Sequence, residues 1–459
     1  MWESRKSYIE RLEMLDIMSK EKGTRVVIVG GGISGFSCAL ELKGLKARCT
    51  ILEKEKTVGG RARSYTESGY VFDQGLHFFV GGFKSLIPIL ERSGVKMTTV
   101  GEGAVWLKDG NRHIIRRSAV ELAKFGLLPT TDRARLGLLI QENIKRDKAE
   151  FKELDKMTFT EYAEEKNIPE SIQNDFYAPL IKTVTFMDPS EVSAGQYLYS
   201  ENLRFAYEDG FSAMYPERGG LGSVAYTLML QARNFGVEPQ VNCAVKHVII
   251  EDGKVVGVDY EQDGESKHLD TDAVVLTVPI DLLANFVKMS DLPKEFVQKA
   301  SKFEYVPSTV AYFGLKSRVL DFNVGAFVPG RKINIVAEAK RVSGVLAPIG
   351  ESLLTVTGID KDLLKMSDEE ATQEILNELE ILIPGVKDKV TWKKSWKIWK
   401  SVLKQPPGIM DDRLTTNRTG VKGLYVAGPH ANCGMYYASM EAASKSGIAC
   451  AGEMIEDLK

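Results

Sequence analysis

The sequence predicts an α/β fold: a parallel-sheet dinucleotide domain with an α+β domain inserted into it. Three observations predict it. An apolar strand, Val26 to Val29, runs into Gly30-Gly31-Gly32-Ile33-Ser34-Gly35, then a helical pattern, then a second strand that ends at Glu53. Near the other end, Gly423 to Gly428 repeats this strand character and leads to a small-residue helix from Met440. Between the two lie long stretches of helical and of alternating pattern. Strand, helix and strand in succession is the signature of a parallel sheet.

Each residue of the first motif has a physical task. The spacing G-x-G-x-x-G, with a strand before, a helix after and an acidic residue about 20 positions on, is the dinucleotide fingerprint. Gly30 allows the tight turn, Gly32 lets the backbone approach a pyrophosphate, and Gly35 lets helix and strand pack closely. Ile33 and Ser34 open the helix, and its amides face the phosphates. Glu53 accepts hydrogen bonds from a ribose, with Lys54 beside it. A carboxylate there opposes a 2′-phosphate, so NADP is disfavoured.

Bulk composition narrows the class. The chain has 459 residues, a net charge of −2 and a hydrophobic share of 44%. That is enough chain for two or three domains, and too balanced in charge to suggest nucleic acid. The five cysteines include no CxxC pair, and their odd number argues against a disulfide framework. A reducing compartment fits, and no metal site is expected. The first 22 residues lack the apolar core of a secretory signal, and no run of about 18 uncharged apolar residues spans a membrane. Within 1–22, Tyr8, Ile9, Leu12, Leu15 and Met18 recur at helical spacing. That stripe suits either docking on the protein itself or a membrane or partner surface.

The organisation is discontinuous. Residues 84–200 read as mostly helical, with patches around 117–128, 132–147, 160–167 and 169–181. A turn at Tyr215 to Gly222 opens a helix over 222–234. The run Val241 to Ile250 follows, then hairpins at Asp252-Gly253 and Asp263-Gly264, and a buried strand from Ala273. Residues 300–360 alternate like a sheet, and 368–382 read as a helix. The expected division is an N-terminal segment 1–22, a cofactor domain from 23–84, 215–280 and 405–459, and a substrate domain from 85–214 and 281–404.

The loop Val58-Gly59-Gly60-Arg61-Ala62-Arg63-Ser64 resembles the GG motif of the large flavoprotein family that holds amine oxidases, protoporphyrinogen oxidases and carotenoid desaturases. The resemblance implies FAD, a Rossmann-like FAD-binding domain of the GR2 type, and contacts from Gly60 and Arg61. Arg61 or Arg63 can offset pyrophosphate charge. The run Met440-Glu441-Ala442-Ala443-Ser444-Lys445-Ser446-Gly447 is similar to the family's helix whose N-terminus points at the flavin pyrimidine. A helix N-terminus stabilises the negative charge of a reduced flavin. Gly428 and Met440 are implied to touch the cofactor, and Val245 to present its backbone to the adenine.

Residues 75–83, Gly75-Leu76-His77-Phe78-Phe79-Val80-Gly81-Gly82-Phe83, resemble the corresponding segment of plant and cyanobacterial phytoene and ζ-carotene desaturases. The segments Phe159 to Ala163, Phe186 to Ser193 and Ala438 to Glu441 fall in that family's order, an outline the bacterial squalene desaturases share. Where amine oxidases commonly carry a tyrosine of an aromatic cage, this chain has Ser439. Two positions depart from the pattern. Pro429 stands where relatives have an acidic residue that binds the flavin ribityl or pyrophosphate region, and Ala442 replaces a usual glycine.

The implied chemistry is desaturation of an isoprenoid or polyprenoid chain by hydride transfer to flavin N5, often with a quinone as electron acceptor. The alternatives are a flavin amine oxidase or protoporphyrinogen oxidase-like enzyme, a redox-neutral or reductive flavoenzyme acting on an isoprenoid, and a non-enzymatic FAD-binding protein. His77 and Tyr437 are the candidate catalytic residues, with Asp73, Arg218 and Glu441 as further polar groups near the flavin. No catalytic base is assigned. A lipophilic substrate calls for contact with a membrane, so a cytoplasmic location, peripheral on its inner face, is expected. Two stretches offer such a surface: 124–140, which holds Lys124, Arg133 and Arg135 and follows Arg116 and Arg117, and Trp392 to Lys400, in which tryptophan alternates with lysine. Both also suit ordinary packing over a core.

Overall fold

A computed structural model of the chain describes residues 23–42, 47–75, 78–80, 83–101, 103–115, 122–206, 213–322, 326–338, 346–435 and 438–458. The N-terminal stripe within 1–22, His77, Tyr437, Arg116 and Arg117 lie outside the described residues.

Five parallel strands form the sheet that organises the glycine-rich motif. They are β1 (Thr24–Val29), β2 (Ala47–Leu52), β3 (Glu238–Gln240), β4 (Ala273–Leu276) and β5 (Leu424–Val426), in the order β3-β2-β1-β4-β5. Val26 to Val29 and Ala273 to Leu276 are all buried. A strand covered on both faces needs apolar residues at every position, not alternate ones. One face packs on helix α1 (Ile33–Glu41), the helix Gly222–Asn234 and the C-terminal helix α2 (Met440–Leu458). The other is covered by a three-stranded antiparallel sheet from 243–251, 254–262 and 265–270. Its hairpins turn at Asp252-Gly253 and Asp263-Gly264, all four residues at positive φ, as an Asp-Gly two-residue turn requires.

A second sheet, of seven strands, takes members from both intervening stretches. Its order runs 390–403, 305–315, 352–358, 333–338, 326–327, 104–108 and 111–115. Helix Asp368–Leu382 lies on it and is closed by a capping box at Ser367 and Glu370. A helical group from 130 to 206 builds a separate core around Trp106, Phe125, Tyr162, Phe176 and Tyr197.

The mostly helical expectation for 84–200 needs correction at its start. Strands occupy Met97–Gly101, Ala104–Lys108 and Asn111–Ile115. The last two form a hairpin about Asp109-Gly110, both at positive φ. The Asp-Gly signal that identified the other two hairpins was present here as well. All five cysteines are buried free thiols. Among the described residues, no helix is long and apolar enough to cross a membrane.

Candidate functional site

The order β3-β2-β1-β4-β5 reverses direction between β1 and β4. Open α/β sheets bind ligands at such a switch point, outside the carboxyl ends of the strands. Gly30 leaves β1 there at φ +108, and a β-carbon on it would lie 2.6 Å from Thr277 Oγ1, just past β4. Thr277 Oγ1 donates to the carbonyl of Val29 at 2.8 Å, which fixes the turn. Gly35 must also be glycine, because a β-carbon would come within 2.3 Å of the Gly30 carbonyl oxygen. Gly32 differs from both. Nothing stands within 4 Å of where its β-carbon would be, so this face of the loop is open.

The second glycine loop packs on the first. Gly59 N donates to the Gly31 carbonyl at 2.7 Å, and Gly60 presents itself to Gly32, whose Cα lies 3.8 Å from an added β-carbon. Ser34, at the start of α1, has a buried hydroxyl with no protein partner. An open glycine face, a second glycine loop opposite, and an unpartnered hydroxyl at a helix N-terminus form a cradle that fits a pyrophosphate.

Glu53 ends β2 with its carboxylate buried. Oε2 accepts from Gly31 N at 2.9 Å and Oε1 from Glu55 N at 3.0 Å. Arg63 approaches within 3.7 Å of Glu53 and 3.6 Å of Glu55. The carboxylate is therefore held in place by the loop it would serve, with lone pairs left over for a ribose. Lys54 turns away, its side chain 73% exposed. Arg61 donates to the Ser401 carbonyl at 3.1 Å and lies over the Tyr305 ring at 5.8 Å.

The C-terminal helix α2 closes against α1. Gly447 meets it so tightly that a β-carbon would be 2.3 Å from the Ser34 carbonyl oxygen, and Ser37 and Ser444 share a hydrogen bond of 3.0 Å. Ser439 caps α2, its Oγ accepting from Ala442 N at 3.1 Å. Glu441 serves a different helix. Its two oxygens accept from Ser85 N and Leu86 N at 2.7 and 2.8 Å, at the start of Leu86–Arg92. Met440 is half-buried against the same core. Gly428 N donates to Ser446 Oγ at 3.0 Å, tying the end of β5 to α2. Val245 is buried on the strand after β3, directly before an irregularity in its pairing.

Asp73 is a fastener. It accepts from Ser64 Oγ at 2.5 Å, from the Tyr215 hydroxyl and from Leu221 N at 2.9 Å. Burial pushes its carboxyl up to about 6 despite these donors. It borders a small cavity of about 30 Å³, lined also by Val71, Phe72, Phe78, Leu346 and Leu353. Arg218 is exposed.

His430 carries a signal the sequence reading passed over. It follows Pro429 in the loop after β5 and is 1% exposed. Burial, then the charges of Arg61 and Arg413, push its imidazole down to about 3, so it is neutral. Arg413 is buried too and donates to the carbonyls of Pro429 and Met435 at 3.1 and 2.8 Å.

The two proposed lipid-facing stretches pack largely inward. Phe125, Leu128, Leu136, Leu139 and Ile140 are core residues, while Leu138 is 65% exposed. Trp392 and Trp396 stack among Tyr70, Phe72 and Tyr312. Lys394 pairs with Glu67, Lys397 with Asp368 and Lys400 with Asp281, leaving Trp399 exposed.

Comparison with known proteins agrees with this architecture. The family model for flavin containing amine oxidoreductases matches residues 33–455. A 15-cis-phytoene desaturase of Synechococcus elongatus is 23% identical over 92% of this chain and 94% of its own length. A zeta-carotene desaturase of Synechocystis is 22% identical over 92% and 95%. Among solved structures, an oxidoreductase from Methanosarcina mazei superposes with a TM-score of 0.75 at 19% identity, covering 94% of this chain and all of that one. Cyclohexylamine oxidase from Brevibacterium oxydans gives 0.73 at 16% identity, over 95% and 99%. The fold is the α/β FAD-binding fold of these proteins, and the open glycine cradle fits that cofactor. The chain belongs to the family of flavin containing amine oxidoreductases, as an FAD-dependent oxidoreductase of its desaturase branch.

Proposed function

We propose that the protein desaturates an isoprenoid chain, of the carotenoid or squalene type. Gly30, Gly32, Ile33, Ser34, Gly35, Glu53, Gly60, Arg61, Val245, Gly428 and Met440 hold FAD in this reading. Bound FAD supplies the hydride acceptor at N5 for oxidation of a C–C single bond. The chain's part is placement and exclusion of water. In this reading the N-terminus of α2, capped by Ser439, lies beside the flavin, where its dipole favours the charge that reduction leaves behind. The strands 104–115 and 305–403, drawn from both insertions, form the substrate side. His77 and Tyr437 are the polar groups proposed to face the substrate.

Ser439 carries the choice between desaturase and amine oxidase. An amine needs polar or aromatic recognition beside the flavin, and this position spends its hydroxyl on the helix amide. The relatives named as phytoene and zeta-carotene desaturases support the same reading along more than nine-tenths of the chain. A lipophilic substrate follows from it, with a quinone as acceptor and transient contact with a membrane.

The test is anaerobic bleaching of the purified flavoprotein. Phytoene or squalene in liposomes should reduce the flavin, and primary amines should leave it oxidised. Bleaching by an amine and by no isoprenoid would sink the proposal in favour of an amine oxidase.

A further inference from the structure

The loop after β5 holds a buried polar group that the fold leaves unsatisfied. His430 Nε2 has no hydrogen-bond partner in the protein. Its Nδ1 faces the Tyr305 hydroxyl at 3.5 Å, and the ring lies 6.4 Å from that of Phe303. A buried polar nitrogen without a partner costs free energy, so such groups mark a missing ligand or a strained site. Gly428 is shaped around this ring: a β-carbon there would fall 2.6 Å from His430 Cε1. The backbone has therefore made room for the imidazole.

The location says which ligand. His430 stands at the carboxyl end of a strand of the parallel sheet, where such folds bind their cofactors. A continuous set of contacts links it to the glycine cradle. Gly59 is bonded to Gly31, Arg61 follows Gly59 and Gly60, Arg61 lies over Tyr305, and Tyr305 faces His430. Arg61 and Arg413 both act on the ring with their positive charge, a setting that favours an anion or a polyol over a cation. Pro429, one residue earlier, has neither an N–H nor a polar side chain to offer.

We propose that His430 is a cofactor-binding residue whose Nε2 hydrogen-bonds the pyrophosphate–ribityl segment of FAD. The role calls for the tautomer in which Nδ1 accepts from the Tyr305 hydroxyl and the ring proton sits on Nε2, available to a phosphate or ribityl oxygen. The imidazole is a neutral donor inside a cationic setting, so it recognises the cofactor without adding charge. This inference rests on FAD binding and is independent of which substrate the enzyme oxidises.

The experiment measures FAD affinity, not turnover. His430→Phe keeps the ring volume and removes both nitrogens, and His430→Gln keeps an amide donor. Each apoprotein is titrated with FAD by flavin fluorescence quenching, and the phosphorus NMR shifts of the bound diphosphate are recorded. H430F should bind FAD about 10- to 100-fold more weakly, as expected for losing one hydrogen bond to a charged group. Its diphosphate resonances should move, and H430Q should recover most of the affinity. Wild-type affinity and unchanged phosphorus shifts in H430F would overturn the assignment. So would a loss that Gln does not rescue and that accompanies an equal drop in the melting temperature of both apoproteins, because that pattern marks a structural histidine.

Discussion

Ser439 and Glu441 stand two residues apart and serve different helices. The hydroxyl caps its own helix, whereas the carboxylate reaches the amides that open Leu86–Arg92, 356 and 355 residues away in sequence. The dipole argument for an acid in the first turn of α2 was legible from spacing. The true partner was not, because no local pattern encodes a contact of that separation. His430 illustrates the same limit. Pro429 drew notice as a departure from a motif, and only burial made its neighbour the informative residue. Glu201 shows what burial does to a carboxylate with no cation bonded to it. It accepts from Asn143 at 2.7 Å, its other oxygen is unpartnered, and burial pushes it up to about 7. The folded state then keeps a proton that the unfolded chain releases near 4.5. Stability therefore falls as pH rises through that window and levels off above it, by on the order of 3 kcal/mol for a shift of this size. Glu201→Gln should flatten the slope, most of all above pH about 6 where Asp73 no longer contributes, and exceed wild-type stability at pH about 8. Urea unfolding of both proteins across the window checks this, and equal slopes would remove Glu201 from the account.

At the scale of elements, the contact between α1 and α2 is set by one residue. Gly447 lets the two helices approach until Ser34, Ser37 and Cys38 surround it. Gly447→Val would drive a side chain into that backbone, with a cost of about 3 kcal/mol and loss of bound flavin. Gly452, on the same helix, is the control. A β-carbon there meets nothing within 4 Å, so Gly452→Ala should be neutral or slightly stabilising. Calorimetry and the flavin-to-protein absorbance ratio distinguish the two variants, and a G447V protein with full flavin and unchanged melting would contradict the packing argument. Elements with a strong local signal were legible. The helices 222–234 and 368–382 and the Asp-Gly hairpins at 252 and 263 are where their patterns put them. The hairpin at Asp109-Gly110 was hidden by the helical character of its surroundings. The alternation of tryptophan and lysine in 390–403 was ambiguous for another reason. A strand between two packed layers alternates in the same way as one between protein and lipid, and only its neighbours, Tyr70 and Phe72 on one side and Asp368 on the other, distinguish them.

For the whole molecule, the sequence disclosed that nucleotide-domain strands recur far apart, but not their order. The order depends on pairing between β1 and β4 and between β4 and β5, which no periodicity records. The seven-stranded sheet is equally non-local, with 104–115 joined to strands near 330. A chain stopped before Met440 keeps the whole glycine motif and Glu53. It should nevertheless purify colourless, because the surface that closes on α1 is gone. A yellow truncated protein with stoichiometric flavin would show that the residues before Met440 suffice.

The bond between Ser37 and Ser444 spans 407 residues. At ribosomal speeds of about 5–20 residues per second, the first half of the cradle waits roughly 20 to 80 s for the second. Throughout that interval α1, which carries buried Ile33, Phe36 and Leu40 in the finished fold, lacks one of the helices that pack on it. The two halves of the cradle thus meet only after residue 444 has been made, so flavin loading falls late in the making of the chain.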